Sequence, residues 1–370
     1  MAELARSEAQ GRQMRSTLVH FRLAFAATAV GLALAFWLGW YASHSLSGAL
    51  SALLIGVVLA VLEISLSFDN AIVNASKLKH MSPVWQRRFL TWGILIAVFG
   101  MRVLLPLLVV AVAAHLGPVA ALRLAATDPQ TYAHIMDEAH LSIAAFGGTF
   151  LMLVGLRYFM DEHKQVDWIS RLECGLRDCA RVRGLEIAFV LVVVLGFAWA
   201  LPHRVAGDFL FAALLGMLLF TGVELLGHVL DAGSAARGAA AVGGLGAFLY
   251  LEVLDASFSF DGVVGAFALT QNLFLIAIGL GIGAFYVRAM TVTLVERKTL
   301  AQFRYLEHGA FYSILALAVI MYAQTLMEIS ELVTGGLGAA FIGLSLWSSI
   351  RYNRRMARVR TAGGEASQEA

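Results

Sequence analysis

Charge is scarce in this chain. Only 14 % of its 370 residues are Asp, Glu, Lys or Arg, while 59 % are hydrophobic and the mean hydropathy is +0.77. Soluble domains carry about 25 % charged residues. Apolar runs of eighteen or more residues recur too often for one water-soluble core, so they read as spanning helices. Cysteine is also rare. Cys174 and Cys179 are the two thiols, too few for a disulfide framework and without the partners a structural zinc site needs. Phosphate-loop, dinucleotide and metalloprotease signatures are absent, and no nucleic-acid partner is expected. The first apolar run, 18–41, ends in Trp37, Trp40 and Tyr41. That ending suits an interfacial aromatic belt better than a signal-peptide cleavage site.

What is present is an all-α polytopic membrane protein with about ten candidate spans: 18–41, 48–76, 89–115, 140–160, 185–201, 207–230, 241–268, 272–295, 308–326 and 333–350. The fifth is at the short limit for crossing a bilayer. Alternating the spans from a cytoplasmic N-terminus places 22 of the 27 Lys and Arg residues on the inner side, counting Arg157 at the inner end of the fourth span. The positive-inside rule favours that arrangement. Both termini are then cytoplasmic. The chain divides into an arm at 1–17, a first half at 18–160, an amphipathic inner loop at 161–184, a second half at 185–350, and a basic then disordered tail at 351–370.

One stretch departs from the apolar pattern. Glu63-Ile-Ser-Leu-Ser-Phe-Asp69-Asn70 lies within the second span, and Asp255-Ala-Ser-Phe-Ser-Phe-Asp261-Gly262 follows it 192 positions later in the seventh. The motif helices, 48–76 and 241–268, run in opposite directions across the membrane, as in an inverted-repeat transporter with its site near the midplane. The span after each motif carries a single arginine, Arg102 or Arg288. A charge in hydrocarbon costs about 2.5–3.5 kcal/mol or more. Six acids lie within spans, namely Glu63, Asp69, Glu224, Glu252, Asp255 and Asp261, against these two arginines. Two ion pairs that lock the bundle leave four carboxylates to be protonated, wetted or metal-bound.

Regular helical spacing puts Glu63, Ser67, Asn70 and Asn74 on one stripe and turns Asp69 away. Asp255 shares a stripe with Ser259, and Glu252 lies one turn before it, while Asp261 points elsewhere. Each motif therefore needs either a break at the Ser-Phe-Asp step or protein on all sides. Ser65 and Ser257 suit back-bonding to the preceding turn as well as liganding. The donors are all oxygen, which suits Mn²⁺, Mg²⁺ or Ca²⁺. Because Mg²⁺ sheds water reluctantly, Mn²⁺ and Ca²⁺ come first. Glu224 and His228, at i and i+4 on the sixth span, read equally as a proton relay or as an inner-end polar pair. Pro106 should kink the third span just after Arg102.

These motifs, Glu63-x-x-x-Ser67-x-Asp69-Asn70 with Arg102 and Asp255-x-x-x-Ser259-x-Asp261-Gly262, resemble those of the TerC family within the LysE-like transporter group. The resemblance covers roughly 48–350. It implies a bacterial inner-membrane metal transporter exporting manganese, with Glu63, Asp69, Asn70, Asp255 and Asp261 as ligands. Ser67, Ser259, Glu252, Arg102 and Arg288 would support them. The chain departs from shorter members in its larger number of spans, its longer inner loop and Gly262 in place of the first half's Asn70. A transporter rather than an enzyme is expected. The alternatives are an intramembrane aspartyl protease using Asp69 and Asp261, and a non-transporting metal-linked assembly factor.

Overall fold

Three helices begin where a short polar side chain satisfies the first free N–H groups. Ser45 accepts from the Gly48 N–H at 3.1 Å, Asp128 from Thr131 at 3.1 Å, and Asn272 from both Phe274 and Leu275. The structure, a computed structural model, describes residues 2–93, 95–162, 164–179, 182, 184–235, 244–327 and 329–366. Within these, the side chains of 2–19, 179, 228, 230–235, 260, 261, 264, 268, 331, 332 and 359–366 lie outside the description.

In chain order the helices are α1 (Ala2–Ser43), α2 (Leu46–Leu66), α3 (Phe68–Leu78) and α4 (Pro83–Arg88), then π-helical turns at Phe89–Gly93 and Ile96–Leu104. There follow α5 (Leu105–Ala113), α6 (Pro118–Thr127), α7 (Pro129–Phe159), α8 (Ser170–Cys179), α9 (Leu185–Ala200) and α10 (His203–Ala235). The last are α11 (Leu245–Leu269), α12 (Leu273–Glu296), α13 (Thr299–Gln302), α14 (Leu306–Gln324) and α15 (Glu331–Ala366). Among the described residues there is no strand. Among the described residues eight helices are long and apolar enough to cross a membrane, within His20–Ser43, Leu46–Leu66, Ile96–Ala113, Pro129–Phe159, His203–Gly227, Leu273–Glu296, Leu306–Gln324 and Val333–Arg358. This is a polytopic helical membrane protein. The other two expected spans correspond to α9, with 16 residues, and α11, with 25 residues that include Glu252, Asp255 and Asp261.

The interior is organised around α7 and α14, where Phe150, Phe159, Phe311 and Tyr322 are fully buried or nearly so. Tyr158 stacks on Phe311 with ring centroids 3.8 Å apart. A second cluster joins α5, α6 and α7 to α12 through Val110, Tyr132, Met136 and Ile276. Trp37 and Tyr41 stack on the exposed side of α1, as membrane-interface aromatics do.

Several boundaries differ from the sequence expectation. α7 starts at Pro129 rather than near 140, because Asp128 caps it. The terminal stretch 361–370, expected to be disordered, continues α15 as far as Ala366, and 367–370 lie outside the described residues. The amphipathic loop expected at 161–184 packs into the bundle through α8. Glu173 on α8 is completely buried. It accepts from the Ile169 N–H at 2.9 Å, the Trp168 N–H at 3.1 Å, the Tyr312 hydroxyl at 3.1 Å and the Lys164 ammonium at 2.5 Å. His308 on α14 lies 3.4 Å away from it and bonds the Val166 carbonyl at 2.7 Å. The loop is thus a folded cap seated on α7 and α14.

Candidate functional site

The first motif is interrupted. α2 stops at Leu66 and α3 starts at Phe68, with Ser67 between them at φ −95° and ψ 17°. No side chain caps α3 there. The Ser67 hydroxyl turns instead to Glu63 Oε1 at 3.1 Å. The second motif lies on α11, which is continuous from Leu245 to Leu269 and packs against α2, α3, α7, α10, α12 and the π-helical segment. The two copies use different solutions: a break in the first, protein all round in the second.

The break re-phases the polar residues. A straight helix would turn Asp69 away from Glu63, yet here both line one buried cavity of about 50 Å³. Ser67, Ser313 of α14 and Thr334 of α15 also line it, and among the described residues no Lys, Arg or His is in its wall. Asp69 Oδ2 accepts from the Ser313 hydroxyl at 2.7 Å, and Oδ1 from the Asn70 N–H at 2.8 Å. The Thr334 hydroxyl is buried and has no partner. Ser313 and Thr334 carry no sequence motif, so spacing gave no signal for them. They enter because α14 and α15 pack against α3.

The two copies meet. Asn70 Nδ2 donates to Asp255 Oδ1 at 2.5 Å. Gly262, aligned with Asn70, faces Glu63: a Cβ there would sit 3.3 Å from Oε2. An Asn at 262 would crowd that oxygen, so the departure from strict repetition keeps one face of Glu63 open. Gly283 of α12 packs on the Glu63 stem so closely that a methyl group would collide with Cβ and Cγ.

Glu63 is also ion-paired. Arg102 Nη2 contacts Glu63 Oε1, and both side chains are 4 % exposed. Arg102 is held by the Leu280 carbonyl at 3.1 Å and the Ala97 carbonyl at 2.5 Å. Its helix is π-helical, with the Leu105 N–H reaching back to the Gly100 carbonyl. The wider turn accommodates Pro106, which supplies no N–H. Arg288 behaves differently. It makes no ion pair among the described residues, and its Nε has no hydrogen-bond partner. It lines a second small cavity, about 40 Å³, with Asn74, Arg102, Glu252 and Asp255. Glu252 Oε1 and Asn74 Oδ1 are unpartnered there too.

The remaining predicted residues fall as follows. Ser65 and Ser257 back-bond to Val61 and Val253. Ser259 is buried with its hydroxyl unpartnered. Asp261 lies on α11, and its side chain is outside the description, as is that of His228. Glu224 pairs with Arg157 at 2.9 Å, which also reaches Glu186 at 3.4 Å. Glu307 accepts from Ser76 and, at 2.9 Å, from Lys79, stapling the end of α3 to the start of α14. Among the described residues no three His, Cys, Asp or Glu side chains converge as a metal cluster. The oxygen set around the first cavity is two carboxylates and three hydroxyls.

Outside the spans, the loop carboxylates are tuned by their neighbours. Burial pushes Glu173 up, but the Ile169 N–H and the Lys164 ammonium outweigh it and hold the group below its usual range. The Thr131 hydroxyl and N–H lower Asp128.

No curated protein and no solved structure matches this chain. A family model described as "Protein of unknown function (DUF475)" matches residues 68–356. That match takes in α3, α11, α12, α14 and Asp69, Asn70, Arg102, Asp255 and Arg288, and the chain belongs to the DUF475 family.

Proposed function

We propose that this chain is an inner-membrane transporter that exports a divalent metal ion, manganese foremost and calcium next. In this reading it crosses the membrane about ten times, with both termini in the cytoplasm, and its halves form an inverted repeat of the kind found in TerC-like proteins. The observation that carries the reading is the base-free cavity shared by Glu63 and Asp69, with Gly262 of the second copy in its wall. Carboxylates and hydroxyls with no competing ammonium or guanidinium in the lining suit a hard cation. Glu63 Oε1 is engaged by Arg102, while Oε2 faces Gly262. Asp69 and Glu63 Oε2 would be the charged ligands, assisted by Ser67, Ser313 and Thr334. Asn70 and Asp255 lie across the motif contact and would hold the two copies in register. Asp261 keeps its place as a ligand by repeat position.

Loading proteoliposomes with Mn²⁺ and following counterflow of radiolabelled Mn²⁺ tests this. Wild type is expected to exchange, and Asp69→Ala to abolish exchange while remaining in the membrane. Absence of exchange by folded wild-type protein would remove the transport reading and favour an assembly role.

A further inference from the structure

Beside the polar centre lies a much larger space. A cleft of about 830 Å³ opens between α5, α7, α10 and α11, walled by Leu105, Leu108, Phe146, Leu215, Leu219 and Val253. Its volume falls within the range of about 300–1,000 Å³ for small-molecule sites. Among the described residues its lining includes no Lys, Arg or His, and its two charged residues are Glu138 and Glu252. From the level of Glu138 to that of Gly147 it follows α7 for about 14 Å, at about 1.5 Å per residue.

The two acids differ. Glu138 is exposed at the mouth and faces His134 at 3.5 Å. Glu252 is 7 % exposed and lines the inner end of the cleft, while its Oε1, without a hydrogen-bond partner among the described residues, lies against Gly93 on the small-cavity side. The polar atom of Ser257 is already satisfied by the Val253 carbonyl at 3.0 Å. Glu252 also belongs to the wall of the small cavity that holds Arg102, Arg288, Asn74 and Asp255. It therefore stands at the seam between an apolar cleft and a polar centre. An acyl chain would fill the apolar walls and leave the Glu252 carboxylate with no counter-charge on the cleft side, which is costly in a low-dielectric site. A hydrated metal ion has the converse problem, since the cleft walls offer it almost no ligands.

We propose that the cleft binds a lipophilic organic monocation, its alkyl or aryl body against α5, α7 and α10 and its charged centre against Glu252. The apolar volume fixes the size of the body, and the lone buried acid fixes the sign of the head. This ligand is separate from any metal held at Glu63 and Asp69, so its binding is measured without metal.

The test uses full-length protein in phosphatidylcholine nanodiscs, with tritiated tetraphenylphosphonium as probe and neutral triphenylphosphine oxide as competitor. Saturable binding is expected, displaced by unlabelled cation and poorly by the neutral compound. Glu252→Gln should weaken it roughly tenfold or more, Ala256→Phe should abolish it by filling the cleft, and Glu138→Gln should change it little. No saturable binding, equal displacement by the neutral compound, or unchanged binding in Glu252→Gln would overturn the proposal. The last two outcomes would mark an acyl-chain groove indifferent to charge. If Glu252→Gln does not fold, the cation-against-neutral comparison on wild type decides alone.

Discussion

The side-chain amide of Asn70 donates to the Asp255 carboxylate at 2.5 Å, joining residues 185 apart in sequence. This bond directly joins the two copies of the motif, and both residues are buried. A hydrogen bond to a charged group contributes about 1.5–3 kcal/mol. Asn70→Ala should lower the thermal midpoint of the detergent-solubilised protein. In Asp255→Asn the same change should cost clearly less, because a neutral acceptor gains less from the donor. Additive effects in that double-mutant cycle would mean the two side chains act independently.

The Glu63–Arg102 pair predicts an asymmetry. Removing one member of a buried pair costs about 3–5 kcal/mol, since the other charge is left alone. Arg102→Gln should therefore be severely destabilised, and adding Glu63→Gln should restore part of the loss. Thermal retention of monodisperse protein on size-exclusion chromatography gives the readout. A double variant no better than Arg102→Gln would argue that Arg102 matters through the Leu280 and Ala97 carbonyls instead.

Gly262 leaves Glu63 Oε2 facing open space. Gly262→Ala should fold, since the nearest atom to its Cβ is one carboxylate oxygen at 3.3 Å, and Gly262→Asn should crowd that oxygen more severely. Mn²⁺ affinity measured by isothermal titration should fall from Gly to Ala to Asn. A flat series would place the cation elsewhere.

The cap predicts a pH dependence. Glu173 titrates below its ordinary value of 4.5 in the folded protein. Its stabilising contribution is complete above that value and is lost as pH falls through the depressed one. Hydrogen-exchange protection across 164–177 should be retained at pH 6 and be lost only as the pH is taken below 4.5. At neutral pH, Glu173→Ala should expose Lys164, Arg171 and Arg177 to trypsin, while transport-site variants should not.

The apolar runs announced the helical membrane class, because long stretches without charge have no stable alternative to spanning helices. The repeated acids were equally visible, as was the arginine that follows each. What periodicity did not carry was the consequence of the break at Ser67. A straight helix separates Glu63 from Asp69, and one interrupted turn brings them to the same cavity. Ser313 and Thr334 were illegible for another reason: they reach the site by packing of α14 and α15, which leaves no local trace. The buried Glu173 was hidden because its partners, Lys164, His308 and Tyr312, lie on two separate stretches of the chain. Glu307 and His308 likewise reach partners distant in sequence, Ser76 and Lys79 for the first and the Val166 carbonyl for the second.

The π-helical segment that carries Arg102 closes its hydrogen bonds five residues back instead of four, so each ring holds one residue more than in an α-helix. If that surplus migrated along the segment, each residue it passed would swing about its axis by about 100°, one α-helical step, while the flanking helices kept their seats. Glu63 could then be relieved of its guanidinium by a local screw motion at Ile96–Leu104, without parting α2 from α12.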